Sequence, residues 1–239
     1  MTPTHTQRVF LNVDVVIFTV VDEALKVLLV KRETPPEEGR WALPGGAVDP
    51  DVDRDLDRCA LRTLHRRVGC GAPYLEQLRT YGDGERDARP LTPDGRLRSW
   101  TATVVYFALV SPDKLALPES QGVRWGTIHG EGVADPLAFD HGVILRDAIR
   151  RLRAKLTYTA IAVYLLPERF TLPALQRTYE VLLQEKLDKS SFRKQIVTSG
   201  LVVETGAYQA VRAGRPPKLY RFNDRGAPLF YPRSPTGRP

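Results

Sequence analysis

Apolar residues in the first half of the chain occur in short blocks or alternate with polar ones, a pattern typical of β-strands. These blocks predict strands over 9–19, 26–31, 41–43, 75–81, 101–110 and 123–127, with a turn at Gly45 and Gly46 after the third strand. Two stretches have helical spacing instead. In the first, Leu56, Ala60, Leu64 and Val68 would lie on one face of a helix. The second is an apolar stripe that predicts a long helix over 139–156. Strands flanked by helices predict an α/β fold.

The rest of the chain carries signals for three helices followed by a hairpin. The predicted elements are helices over 158–166, from 172 onwards and from 188 to 198, and strands over 201–205 and 217–222. Thr171 is a suitable N-cap for the second helix, with Pro173 in its first turn. This order is that of a winged helix-turn-helix. We therefore predict three segments: a sandwich domain (1–153), a winged-helix domain (154–226) and a tail (227–239) to which no function is assigned.

The charge is distributed unevenly between these parts. Residues 1–150 hold 19 Lys and Arg against 22 Asp and Glu, a net charge of −3, whereas residues 151–239 hold 16 against 6, a net charge of +10. A basic module beside a nearly neutral one favours a polyanionic partner, with nucleic acid such as double-stranded DNA as the first candidate and a membrane surface as the second. No apolar run reaches the roughly 20 residues of a membrane span. With only Cys59 and Cys70, neither a disulfide framework nor a metal quartet is expected, and the interpretation is a cytoplasmic protein.

Residues 40–70 resemble a Nudix box, the pattern G-x5-E-x7-R-E-U-x-E-E-x-G-U in which U is a bulky aliphatic residue. The segment opens with the sequence WALPGG and keeps the arginine (Arg62), the aliphatic residue and the closing glycine. The three helix glutamates are replaced by Thr63, Arg66 and Arg67, and the first glutamate position falls on Val52 or Arg54. The resemblance implies an α/β/α Nudix-like sandwich with a mixed sheet.

The altered box argues against metal-dependent hydrolysis. Magnesium and calcium need oxygen ligands, which guanidinium groups do not supply. The aspartates at 51, 53 and 55 resemble the start of a calcium loop, but Leu56 stands where that loop needs glycine and Arg62 where it needs glutamate. We interpret these aspartates as the N-terminus of a helix. No metal site and no required cofactor are expected.

The third helix and the hairpin loop provide candidate DNA-binding residues, because a winged helix-turn-helix places that helix in the major groove. The candidates on the helix are Lys189, Ser190, Ser191, Arg193 and Lys194; those of the wing are Arg212, Arg215 and Lys218. The alternative is a winged helix that docks on another protein.

A degenerate Nudix domain before a winged helix resembles the Nudix-related transcriptional regulators of NAD metabolism. Segments similar to those of that family are LAFDH (137–141), FTLPALQ (170–176), LDKSSFR (187–193) and GRPP (214–217). The resemblance implies a dimeric repressor of genes for NAD synthesis or salvage, which binds a near-palindromic operator. It also implies that the Nudix domain senses ADP-ribose or a related NAD-derived metabolite.

The sequence suggests where such an effector would bind. The candidates are Gly45 and Gly46 for the diphosphate, Arg32, Arg62 and Arg66 as cations, Trp41 and Phe139 for the adenine or ribose, and His141 as a hydrogen-bonding group. The rival hypothesis is a Nudix pyrophosphatase with an atypical metal site that draws on Asp49, Asp53 or Glu76.

Overall fold

A computed structural model describes residues 8–69, 71, 74–82, 99–115, 122–212 and 214–223. Residues 83–98 of the polar loop predicted over 82–98, Cys70 and the tail over 227–239 lie outside the described residues. None of the helices in the described part of the chain has the length and apolar character needed to span a bilayer.

The strands and helices follow the predicted order. The strands are β1 (Arg8–Val21), β2 (Ala24–Lys31), β3 (Trp41–Ala42), β4 (Gly45–Ala47), β5 (Tyr74–Tyr81), β6 (Ser99–Leu109), β7 (Val123–Thr127), β8 (Val202–Tyr208) and β9 (Lys218–Phe222). The α-helices are α1 (Leu56–Val68), α2 (His141–Leu156), α3 (Leu172–Leu183) and α4 (Lys189–Thr198). Short 3-10 helices occupy Pro112–Lys114 and Ile161–Leu165.

Two predictions of local structure were wrong. The segment 158–166 is not an α-helix: its helical part is the 3-10 segment Ile161–Leu165, of which four of the five residues are buried. Residues 45–46 do not form a turn but begin β4, which pairs antiparallel with β1 and faces Gly45 towards Asp14. Both errors arose where tertiary packing outweighed the local signal.

A mixed seven-stranded sheet forms the first domain. Its path is β3-β2-β1-β6-β5, with β4 added to β1 and β7 to β2. The long β1 runs parallel to β6 over eleven paired positions, from Arg8 opposite Ser99 to Phe18 opposite Leu109. One face of β1 (Val13, Val15, Ile17) packs with α1, and the other (Val16, Phe18) packs with α2. The predicted mixed-sheet sandwich is confirmed.

Helix caps agree with the sequence signals. Asp55 accepts a hydrogen bond from the Arg58 amide at 2.7 Å and begins α1, as expected of the acidic segment. Thr171 caps α3 by accepting from the Ala174 amide, and Asp188 caps α4 by accepting from the Ser191 amide at 2.8 Å. These three caps place the starts of the helices where the sequence predicts them.

The winged-helix domain is joined to the sheet domain by one continuous apolar core. Ile149, Leu152 and Leu156 of α2 are fully buried in the same cluster as Leu175 and Tyr179 of α3. Polar contacts reinforce the junction, because the Arg153 guanidinium donates to the Leu182 carbonyl at 2.9 Å. Helix α2 therefore connects the sheet domain to the winged helix.

Candidate functional site

The first candidate site is a cavity of about 710 Å³ at the N-terminal end of α2. That volume lies within the range of roughly 300–1,000 Å³ typical of small-molecule sites. Its charged and histidine lining residues are Asp14, Lys31, Arg32, Glu33, Arg67 and His141. Gly45, Gly46 and Phe139 also line the cavity.

Gly45 is required by the close approach of β4 to β1. A Cβ atom at this position would lie 1.9 Å from Asp14 Oδ1 and 2.9 Å from the Val13 carbonyl oxygen. At Gly46 a Cβ atom would meet nothing within 4 Å. The two neighbouring glycines therefore differ: the first makes room for a buried carboxylate, and the second leaves the backbone open to the cavity.

His141 holds the start of α2 against the segment that precedes these glycines. Its Nδ1 accepts a hydrogen bond from the Leu43 amide at 2.9 Å, so the neutral imidazole carries its proton on Nε2. Nε2 lies 3.9 Å from Asp14 Oδ2, and both side chains are buried. His141 thus has a structural hydrogen bond and still lines the cavity.

Phe139 has a backbone conformation that is rare for an aromatic residue. Its φ is 53°, in the left-handed region. The flanking bonds hold this conformation, because the Ala138 amide donates to the Trp41 carbonyl at 2.8 Å and the His141 amide to the Ala138 carbonyl at 3.1 Å. Such strain costs about 1–3 kcal/mol and often marks binding sites. It directs the Phe139 ring into the cavity wall.

Arg32 covers the Phe139 ring, with its guanidinium carbon 4.6 Å from the ring centroid. Its Nε donates to the Pro36 carbonyl at 2.8 Å, which fixes the guanidinium over the ring. The two side chains form an aromatic and cationic part of the cavity wall. This geometry suits a stacked aromatic base.

Three of the candidate effector residues do not reach the cavity lining. The Trp41 ring is instead covered by Arg124, whose guanidinium carbon lies 4.1 Å from its centroid. Arg66 is exposed on the outer face of α1. Arg62 pairs with Asp53, to which its Nε donates at 2.7 Å. Arg32, Gly45, Gly46, Phe139 and His141 are the candidates that the structure brings together.

The Arg62–Asp53 pair is a structural ion pair beneath α1. The Arg62 guanidinium holds the pKa of Asp53 well below its usual range, so this carboxylate is charged at neutral pH. The neighbouring Cys59 is buried, and burial raises the pKa of its thiol to about 11. The ion pair ties α1 to the segment before it, and neither Asp53 nor Cys59 lines the cavity.

Arg67 lines the cavity although the sequence analysis did not select it. It occupies the last glutamate position of the box, four residues after the buried Thr63, so both residues share one face of α1. That spacing is the signal that distinguishes Arg67 from the adjacent, exposed Arg66.

The side chains of this site do not match the requirements of a divalent cation. Among the described residues, no group of three or more His, Cys, Asp or Glu side chains is placed to hold a metal ion. Of the three carboxylates named for an atypical site, Asp53 is bound by Arg62, and Glu76 pairs with Lys155 at the domain junction. Arg67 stands where the box would place a ligand. The donors fit an anion better than a cation.

A second candidate site lies on the winged helix. A groove of about 280 Å³ runs between α4 and the hairpin and includes Arg193, Tyr208, Arg215 and Lys218. It therefore brings part of the predicted recognition helix and wing to one surface. The exposed candidates are Lys189, Ser190, Ser191, Arg193, Lys194, Arg212 and Arg215.

Two contacts shape this second site. Lys218 is half-buried and pairs with Glu204 at 2.6 Å, which raises the pKa of the lysine and occupies its ammonium group. The wing is anchored through Phe170, whose amide donates to the Tyr220 carbonyl at 2.9 Å and whose carbonyl accepts from the Tyr220 amide at 2.8 Å. The hairpin is consequently fixed to the start of α3.

Comparison with known proteins identifies both parts of the chain. Residues 11–148 match the NUDIX domain, and residues 162–222 match the NrtR DNA-binding winged helix domain. The chain is 38% identical over 226 residues to an ADPR-responsive transcriptional repressor of Acinetobacter baylyi, covering 93% of this chain and 86% of the relative.

Solved structures give the same result. The NrtR of Shewanella oneidensis in complex with a 27mer DNA is 37% identical, with a TM-score of 0.83 over 94% of this chain and 98% of that one. The Nudix domain of the same Shewanella protein in complex with ADP-ribose is 37% identical, with a TM-score of 0.50 over 64% of this chain and 94% of that one.

The contrast between the two glycines yields a test of the site geometry. Gly45→Ala should destabilise the fold by about 1–3 kcal/mol, because the new methyl group displaces the buried Asp14 carboxylate. Gly46→Ala is the matched control and should be nearly neutral. Urea unfolding of both variants measures the difference, and equal stability would contradict the packing described for Gly45.

Proposed function

Because this chain belongs to the NrtR family, which joins a NUDIX domain to a DNA-binding winged helix, we propose that it is an ADP-ribose-responsive transcriptional repressor. The genes it controls are those of NAD synthesis or salvage, as the family resemblance implies, and it acts in the cytoplasm. The observation that carries the proposal is the position of α2. This helix begins at the cavity with His141 and ends in the core of the winged helix with Leu156.

The DNA-binding surface consists of α4 and the wing. Arg193 and Lys194 project from α4, while Arg212 and Arg215 extend from the hairpin loop, and all four side chains are exposed. The small side chains of Ser190 and Ser191 let the helix approach the floor of the major groove. A homodimer would present two such surfaces, so we expect a near-palindromic operator.

The effector occupies the cavity of the Nudix domain. The wall of Arg32 and Phe139 provides the surface for the adenine, and the exposed backbone at Gly46 faces the diphosphate. The Asp14 carboxylate, at the base of the cavity, is an acceptor for ribose hydroxyl groups. ADP-ribose, or a related NAD-derived metabolite, combines these three chemical features.

The chain acts as a sensor and not as a hydrolase. Positions 63, 66 and 67 of the box carry Thr, Arg and Arg, and the carboxylates of Asp53 and Glu76 are held in ion pairs elsewhere. A Nudix domain of this composition lacks the oxygen ligands that would place a cation against a diphosphate. ADP-ribose is therefore bound and released without being hydrolysed.

Ligand binding reaches the DNA through α2. A ligand that contacts His141 or Phe139 acts on the first turn of this helix, and its last turns are packed against α3. For the ligand to release DNA, it must bind the DNA-incompetent arrangement more tightly. Because the connection is rigid, small movements at the cavity displace the winged helix as well.

The DNA-binding surface predicts a specific loss on substitution. Lys189→Ala combined with Arg193→Ala should weaken operator binding by about 1–3 kcal/mol for each side chain that contacts a base, and should reduce the salt dependence of binding. Arg177→Ala is the control, because this exposed arginine of α3 points towards Glu23 in the first hairpin, 3.8 Å away. Fluorescence anisotropy with an operator duplex measures both; a double variant that binds like the wild type would contradict the surface.

The proposed lack of hydrolysis is tested separately. Purified protein incubated with ADP-ribose and magnesium should bind the nucleotide and release no AMP, because the glutamate positions of the box carry no carboxylate for the cation. Chromatography of the products and calorimetry of binding provide the two readouts. Magnesium-dependent release of AMP at many turnovers would favour the pyrophosphatase hypothesis instead.

A further inference from the structure

The arginines of the box region differ in what they contact. Arg62 is held by Asp53, Arg66 points outward, and Arg32 is fixed by backbone carbonyls over a ring. Arg67 lies at the C-terminal end of α1, half-buried in the cavity wall. Within the described residues no hydrogen bond or ion pair engages its guanidinium. Arg67 is therefore a cation that faces the cavity and remains available to a ligand.

The position of Arg67 is chemically informative. The box places its last glutamate there, and in a metal-dependent site that carboxylate would attract a divalent cation, which in turn binds the diphosphate. Arginine reverses the charge at this position and offers a planar fork that fits phosphate oxygens directly. The arginine and a divalent cation exclude each other at this position, since the guanidinium would repel a bound cation.

We propose that Arg67 replaces the divalent cation and binds the diphosphate of the effector directly, so that effector binding requires no metal. This inference rests on the proposed function for the site and goes beyond it by naming the residue and the absence of a metal requirement. Lys31 and Arg32 also line the cavity, so three cationic side chains are present. The lining carboxylates are those of Asp14 and Glu33. The excess of positive charge favours a diphosphate without a metal.

The charge-reversal variant Arg67→Glu tests this inference. It should lower the affinity for ADP-ribose at least about a hundredfold in EDTA, because an attractive contact becomes a repulsive one. Manganese or magnesium should restore part of the loss, since these cations commonly bind through one or two carboxylates together with ligand phosphates. Arg67→Lys should retain metal-free binding, with an affinity between those of the wild type and the charge-reversal variant.

The matched control is Arg66→Glu, which makes the same change of charge on the exposed side of the same helix. Its affinity for ADP-ribose should stay within about threefold of the wild type, with or without metal, because solvent screens an exposed charge. Calorimetry measures all four proteins, and circular dichroism confirms that each variant is folded. Inorganic pyrophosphate serves as a second probe that lacks the nucleoside.

The outcomes distinguish the role of Arg67 from the proposed repressor function. Wild-type protein that binds ADP-ribose only with a divalent cation, or an Arg67→Glu variant that binds like the wild type in EDTA, would overturn the role of Arg67 and leave the repressor function intact. If the wild type binds pyrophosphate in EDTA through Arg67 but fails to bind ADP-ribose, the anion site stands and the proposed effector is wrong.

Discussion

The hydrogen bond from the Leu43 amide to His141 Nδ1 joins the two elements on which the proposed effector site depends. It ties the backbone just before β4 to the first residue of α2. Because β4 pairs with β1 opposite Asp14, the β4 backbone has little freedom to move away from β1. The glycine segment, the buried carboxylate and the helix start consequently form one unit. A ligand that displaces any of the three acts on the others.

The opposite end of α2 shows why this unit matters for DNA. Rings from both domains are in contact in series: Phe107 and Tyr74 of the sheet domain, Tyr164 of the 3-10 segment, and Phe222 of the wing. Lys155, near the end of α2, donates to the Tyr74 hydroxyl at 3.0 Å. A domain junction built of packed rings and a fixed helix transmits displacement better than a flexible linker would.

The sequence predicted the elements that have strong local signals. Asp55, Thr171 and Asp188 cap their helices as expected, since capping needs only a side-chain oxygen and a free amide within three residues. Residues 158–166 were predicted as an α-helix because apolar residues dominate them. The structure forms a shorter 3-10 segment there, whose residues Ile161 and Leu165 are buried in the core between the domains.

The site was harder to predict, because a sequence does not say which charged side chains satisfy one another. Arg62 matched the box and was a candidate for the effector, yet the chain supplies Asp53 nine residues earlier to hold it. Arg67 was recognised as a replaced glutamate but not as a cavity residue, because the face of α1 that meets the cavity depends on how β4 packs. Gly45 and Gly46 were grouped together, and only the close approach of Asp14 separates their roles.

The central claim is that ligand binding at the cavity and DNA binding at the winged helix are energetically coupled through α2. The most direct measurement is the affinity of the protein for an operator duplex as ADP-ribose is titrated to saturation, with ligand occupancy measured in the same samples. Coupling of the usual size predicts that operator affinity falls by about 5–150-fold as the cavity fills, and that the operator weakens ADP-ribose binding by the same factor. An unchanged operator affinity with the cavity demonstrably occupied would contradict the account.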